Sequence, residues 1–312
     1  MSSAVISILL NALVTFSFLS LATFGIVLIF KTSSTTNFAQ GMIGILGAFT
    51  TSYIIDQQGI FEYTGLPSVP LPGPFELILP MLAGILVSFL TGFLIEMVIF
   101  RNARYTNPVT KQIITMGLVI IITGLVPMIF NGGIRRASFP FTQDTIMVLG
   151  VALPVHNLVT LLIAGIIMVV IFISLKYTKW GLAVRSVASN EKVASLMGIN
   201  TNLINAMSWA IAGALGALSA ITYTAAIGNL SLFSMVDIQV NSFYASILGG
   251  FQTFYGPLAG TFILSAGQQV IRMILINFNL AGWTNTVVYL AIMIAILIKP
   301  VGLFGKKIMK KV

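Results

Sequence analysis

Apolar runs long enough to cross a bilayer alternate along this chain with short polar breaks, and that alternation predicts most of the molecule. About 20 apolar residues cover a hydrocarbon core of ~30 Å. Runs of that kind occupy 8–30, 35–55, 75–100, 109–130, 156–175, 203–226, 255–278 and 283–298, with a shorter, broken one around 240–251. The pattern predicts an all-α fold, a polytopic membrane helix bundle of about 8–10 transmembrane helices with interrupted helices among them. The second run is the least uniform, opening TTNFAQGMIGILGAF with Asn37 and Gln40 among small residues. It is echoed by VNSFYASILGGFQTF later in the chain. Repeated halves with interrupted helices commonly build a solute site at the bilayer midplane, so the echo predicts an internal repeat.

The polar breaks differ in character. Two long ones, 56–74 and 131–155, are rich in Gly and Pro, and 101–111 is short and basic. The break at 176–200, KYTKWGLAVRSVASNEKVASLMGIN, predicts a helix of its own. Asn190 is a good N-cap and Glu191 suits the positive helix start. Val193, Leu196 and Met197 make one side apolar, Gly198 supplies a left-handed stop, and Ile199 folds back over the last turn. A docking element outside the bilayer and an ordinary helix lying on the headgroups both fit this pattern.

Composition sharpens the class. The chain is 57% hydrophobic and 7% charged, against about 25% charged in soluble domains, which makes it an integral membrane protein. Its net charge of +9 does not indicate nucleic acid, because the charges sit in short loops and at the C-terminus, where topology signals belong. The N-terminus lacks a basic region and a cleavage site, so its apolar run reads as a retained span. With alternating crossings, Lys31, Arg101, Arg104, Lys111, Lys176, Lys179, Arg185, Lys192 and the five lysines of 299–312 share one side, thirteen of the sixteen basic residues. That side is expected to be cytoplasmic, with the N-terminus outside and the C-terminus inside. Asp56, Glu62, Glu76, Asp144 and Asp237 fall outside.

Candidate chemistry is sparse. No cysteine is present, and His156, the single histidine, stands at a span start where a headgroup-level position suits it. No catalytic group, metal site or cofactor is expected, and no GxxxxGK[ST] phosphate loop occurs. Glu96 lies near the inner end of its span and Arg272 toward the outer end of its own. The bundle centre is therefore free of fixed charge, against proton-coupled transport and intramembrane proteolysis. Asn37, Gln40, Asn241, Ser242, Gln252, Gln268 and Gln269 either line a pathway or bond between helices. Asn37 and Asn241 are the stronger pathway candidates because they stand beside the expected breaks. Gly44, Gly47, Gly249 and Gly250 suit close helix approach.

Four ordered blocks resemble the permeases of branched-chain amino-acid ABC importers. GLAVRSVASNEKVASLMGIN resembles their cytoplasmic loop, G-x-A-x-R-A-x-A-x-(D/N)-x-x-x-A-x-L-x-G-I, and supplies Gly181, Ala183, Arg185, Ala188, Asn190, Ala194, Leu196, Gly198 and Ile199. NFAQG at 37–41 resembles N-F-A-H-G, ILGGFQTFYGPLAGTF resembles V-L-G-G-x-G-x-x-x-G-x-x-x-G, and KPVGLFGKK resembles R-P-x-G-L-F-G-(R/K). The resemblance implies a single permease domain over 1–312, with a coupling loop at 176–203 and a basic tail at 299–312. It implies that helix 189–199 fits a groove on a separate ATPase, through Arg185, Asn190, Glu191, Ala194, Leu196, Gly198 and Ile199. Asn37, Gln40, Gly41, Asn241, Gly249 and Gly250 are the implied pathway residues. The implied partners are two ABC ATPase subunits, a second related permease subunit and an extracytoplasmic solute-binding protein, in the plasma membrane of a prokaryote. No nucleic acid is implied.

Branched-chain amino acids are the default cargo. Gln40 departs from the family's His, however, and relatives also carry urea, short amides and other small solutes. The alternative reading is a stand-alone channel or secondary carrier for a small neutral solute such as urea or an amide. A membrane enzyme lacks any cluster of acids, bases or metal ligands.

Overall fold

The computed structural model describes residues 3–55, 75–102, 107–130, 135–136 and 144–305. The segment 56–74 with Asp56 and Glu62, Arg104, and the tail beyond Gly305 lie outside the described residues, as do the side chains of Glu76, Arg135 and Arg136.

Eleven α-helices are described. They are α1 (Ser3–Ser33), α2 (Gln40–Ile55), α3 (Phe75–Leu94), α4 (Pro108–Ile129), α5 (Val155–Tyr177), α6 (Lys179–Ser189), α7 (Glu191–Leu196), α8 (Thr201–Ile227), α9 (Val236–Gly249), α10 (Gly256–Ile276) and α11 (Thr284–Ile298). Seven helical segments are long and apolar enough to cross a membrane, while α2 and α9 are shorter. The all-α membrane bundle expected from the runs is thus present, with its two interrupted members at the places where the apolar pattern was least uniform. Three local features carried no sequence signal. α3 ends in a π-helical turn, Ile95–Phe100. Thr145–Val148 and Val151–Pro154 form a hairpin, and Arg135–Arg136 pairs with Asn229–Leu230.

α1 and α8 form the centre, each buried almost all round, and α2 and α3 pack on them. Glycine sets these approaches. A Cβ on Gly44 of α2 would lie 2.5 Å from the carbonyl oxygen of Gly216 in α8, and one on Gly213 or Gly92 would overlap the backbone of Ser88 or Trp209. Lipid tails are as apolar as leucine, so close packing and interhelical hydrogen bonds hold such a bundle rather than the hydrophobic effect. Those bonds are visible: Ser88 Oγ donates to Ile43 O at 2.7 Å and Ser219 Oγ to Phe18 O at 2.8 Å. His156, the second residue of α5, is buried against the bundle, its Nε2 2.9 Å from Thr222 O, and so fixes the start of α5 to α8. By contrast α4, α5 and α11 turn large apolar side chains outward, among them Ile120, Leu162 and Leu297, as lipid-facing helices do.

Two faces result. One carries the ends of α1, α3, α5, α9 and α11, the starts of α4, α8 and α10, and the short helices α6 and α7. Lys111 Nζ donates to Ser33 O at 3.1 Å and Lys31 Nζ to Gln252 O at 2.8 Å across this loop-helix face. The chain after α11 folds back there, with Leu303 N donating to Leu248 O at 2.7 Å and capping α9. The strands lie at the opposite face.

Replacing Gly44 by Val forces α2 from α8 and is expected to destabilise the bundle by about 1–3 kcal/mol. Gly117→Ala, where a Cβ meets nothing within 4 Å, is expected to be neutral or stabilising by up to ~1 kcal/mol. Melting of the two purified variants checks both signs.

Candidate functional site

The chain leaves α1 at Ser33 and re-enters the bundle in an extended stretch before α2 begins at Gln40. Gln40 Nε2 donates to Ala212 O at 2.6 Å. Ala212 lies eleven residues along α8 from Thr201, about 16 Å at 1.5 Å per residue, or half the depth of a ~30 Å core. α2 therefore starts at mid-depth and runs to the opposite face. α9 also starts inside, with Met235 against Gly41, and runs to the loop-helix face. The two short helices meet with their N-termini together and point apart, the arrangement expected of an inverted repeat with interrupted helices.

Backbone groups exposed by such a break must find partners, since no water reaches them in hydrocarbon. Here they are supplied by side chains. Asn37 Oδ1 accepts from Ala39 N at 2.9 Å, and Asn37 Nδ2 donates to Gln40 Oε1 at 3.2 Å. Gln239 of α9 bridges the break from the other side: its Oε1 accepts from Gly41 N at 2.5 Å and its Nε2 donates to Phe38 O. One amide thus satisfies a carbonyl before α2 and an N–H in its first turn.

Beside this junction opens a cavity of about 220 Å³, lined by Phe38, Gly41, Met42, Val119, Leu232, Met235, Val236, Gln239, Val240 and Phe243. Its walls are apolar apart from Gln239 and backbone. The Phe38 and Phe243 rings, 5.3 Å apart, close one side.

Of the pathway residues expected from the sequence, Asn37, Gln40 and Gly41 are brought together at the junction. Asn241 is not beside a break: it lies inside α9, buried, accepting from Gln268 Nε2 at 3.1 Å. Gly249 and Gly250 lie at the far end of α9, where Gly249 packs on Gly256 and Gly250 on Gly302, so they shape the loop-helix face rather than the cavity. Gln239 had no individual signal. The pattern that finds it is positional, a glutamine in the first turn of the second short helix answering Gln40 in the first turn of the first.

The second site is the 176–200 stretch. Thr178 caps α6, accepting from Gly181 N at 3.0 Å. Asn190 Oδ1 accepts from Val193 N at 3.1 Å and caps α7. Gly198, at φ +85°, ends it, with Gly198 N bonded to Ser195 O and Ile199 N to Ala194 O, the paired bonds of a Schellman stop. These caps stand where the sequence placed them. The faces divide sharply: Ala194 is buried, whereas Leu196 is 86% and Met197 78% exposed. Leu182, Arg185, Val193 and Met197 border a groove between α6 and α7. Two expected coupling residues are exposed and also bonded to the chain beside them. Glu191 Oε1 accepts from Asn205 Nδ2 at 3.0 Å, and Arg185 reaches the carbonyls of Gly181 and Lys176 at 3.4 Å.

The family model described as the permease component of the branched-chain amino acid transport system matches residues 8–297. The chain is 26% identical over 96% of its length to 92% of the "Probable branched-chain amino acid transport permease protein LivH" of Methanocaldococcus jannaschii. It is 23% identical to the high-affinity branched-chain amino acid transport system permease protein BraD of Pseudomonas aeruginosa, over 97% of each chain. A shorter match, 23% identical over 54% of this chain and 53% of the relative, is to the ribose import permease protein RbsC of Escherichia coli.

Gln239→Ala leaves the Phe38 carbonyl and Gly41 N–H without partners and is expected to cost about 1–3 kcal/mol per orphaned group. Gln268→Ala, outside the junction, is expected to leave solute uptake nearer the parent. Uptake and melting of the two variants, side by side, check whether the junction is what matters.

Proposed function

The chain belongs to the branched-chain amino acid transport permease family, and on that premise we propose that it is the membrane-spanning subunit of an ATP-driven importer. It carries leucine, isoleucine, valine or a related small solute along the junction of α2 and α9. The observation that carries this reading is the combination, in one chain, of a mid-depth cavity at two helix N-termini and a capped, outward-facing apolar helix at one face.

The cavity supports the cargo class. The N-terminus of α2 presents partial positive charge suited to a carboxylate without any fixed cation, while Asp237 in the first turn of α9 offsets that of the second helix. Phe38, Val236, Val240 and Phe243 suit a branched aliphatic side chain. At about 220 Å³ the cavity is small, on the scale of an amino acid and not of a peptide. The names of the full-length relatives favour the same class.

The coupling reading rests on α7. Leu196 and Met197, more than three-quarters exposed, are the groups a cytoplasmic ATPase would cover. Glu191, bonded to Asn205, ties the helix to α8 so that its movement is transmitted. ATP-driven closure of two ATPase subunits would then bias inward- and outward-facing arrangements through a rigid docked helix. A second related permease subunit and an extracytoplasmic solute-binding protein complete the assembly. Lys31, Lys111, Lys176, Arg185, Lys192 and Lys299 stand at the loop-helix face, which supports a cytoplasmic orientation for it by the positive-inside rule.

Covering Leu196 or Met197 contributes about 1.5–3 kcal/mol each, and ~1.4 kcal/mol is tenfold in affinity. Leu196→Asp is therefore expected to lower ATPase co-purification at least about tenfold and abolish uptake, with membrane insertion unchanged. Normal uptake in that variant contradicts the coupling role.

A further inference from the structure

One wall of the cavity beside the α2–α9 junction differs in make from the others. Phe38 and Phe243 are its aromatic members, both half-buried, with ring centroids 5.3 Å apart and planes inclined at 47°. That spacing lies within the range in which aromatic pairs attract. The depth of the pair follows from the helices that carry it. Phe38 N donates to Thr115 Oγ1 at 3.2 Å. Thr115 stands seven residues into α4 from Pro108, which is ~10 Å below the loop-helix face at 1.5 Å per residue. Phe243 stands six residues from Gly249, the loop-helix end of α9, which is ~9 Å from the same face. The two depths agree. Val119 comes one turn deeper on α4, and Gln239 and Val240 lie deeper on α9. The ring pair therefore closes the end of the cavity nearest the loop-helix face.

Beyond the rings, toward that face, the chain turns polar. Gln112, just under one turn before Thr115 on α4, donates from Nε2 to Thr36 Oγ1 at 3.3 Å, and Lys111 Nζ donates to Ser33 O at 3.1 Å. An apolar cavity and a polar margin are thus separated by one aromatic pair. The two rings are not held alike. Phe38 is bonded through both of its backbone groups, its N–H donating to Thr115 of α4 and its carbonyl accepting from Gln239 Nε2 of α9. Its ring stands on a fixed base. Phe243 lies one turn along α9 from Gln239, and rotation of its side chain parts the pair without breaking a hydrogen bond.

We propose that Phe38 and Phe243 form the inner gate of the solute path, closed in the arrangement seen here. Phe38 is the fixed member, and Phe243 is the one that swings aside to release solute toward the loop-helix face. This deepens the proposed passage of solute between α2 and α9 and rests on it.

The test uses the assembled transporter with its ATPase, without ATP, in membrane vesicles that expose the loop-helix face. Val240→Cys is placed in this cysteine-free chain, and its labelling rate by a membrane-impermeant thiol reagent is read on this subunit. Adding Phe243→Ala or Phe38→Ala is expected to raise that rate about tenfold or more, the factor carried by a contact at the upper end of the aromatic-pair range. Phe38→Ala carries the same expectation should Phe243→Ala fail to assemble. Phe243→Tyr keeps the ring and is expected to stay within about twofold of the parent. Phe262→Ala removes a ring from the pair with Phe16, 5.9 Å apart and outside the cavity wall, and is expected to leave the rate unchanged. The proposal is overturned if position 240 reacts but its rate from the loop-helix face is the same in the parent and in both alanine variants. A rise in Phe262→Ala as large as in Phe243→Ala also overturns it, because loosened packing then accounts for both. Failure of the solute path itself shows separately, as a position 240 that solute does not protect from labelling from either face in any variant.

Discussion

A backbone group inside hydrocarbon has no water to fall back on, so a helix that stops at mid-depth must be answered by side chains or not stop there at all. This protein starts α2 at mid-depth and answers the break with an amide from α9. Gln239 takes the Phe38 carbonyl and the Gly41 N–H together. Asn37 and Gln40 settle the remainder of the break. Because that accounting is met, the N-terminus of α2 can be brought to the bundle centre, and polar character is obtained there from amides and backbone groups.

The rest of the molecule keeps the junction in place. Glycine contacts bring α2 and α3 onto α8, and hydrogen bonds from Ser88, Ser219 and His156 lock the layers. At the loop-helix face the same economy recurs, with exposed helix ends capped by Asn190, Asn200 and the return of the chain at Leu303. Packing of this sort is bistable more readily than it is compliant, which suits a subunit that passes between two arrangements. α8 joins the two sites, since it carries both Asn205, bonded to α7, and Ala212, bonded to Gln40.

Much of this was legible in the sequence, and the reasons differ from element to element. The spans could be read because apolar length is a direct consequence of bilayer thickness. The caps of α7 could be read because Asn190 and Gly198 act on their own backbone neighbours. Asn37, Gln40 and Gly41 were recognisable as an irregular opening to a span. What could not be read depends on contacts distant along the chain. Asn241 resembled Asn37 in context, yet the second break falls five residues earlier, at Val236. Gln239 earns its role only from a partner 198 residues away. The bond of Glu191 to Asn205, fourteen residues on, likewise depends on how α7 folds against α8, which no local pattern encodes.

The central claim is that solute passes where α2 and α9 meet. The chain has no cysteine, so a Val240→Cys in the assembled transporter is the one thiol on this subunit, and labelling is read on this subunit alone. Its labelling by a membrane-impermeant, water-soluble thiol reagent, compared with Leu162→Cys on the lipid-facing side of α5, is the most direct measurement. The account predicts that position 240 reacts, that transported solute protects it, and that position 162 stays inert. A Val240→Cys transporter that remains active but is unreactive, or whose labelling solute leaves unchanged, would contradict it.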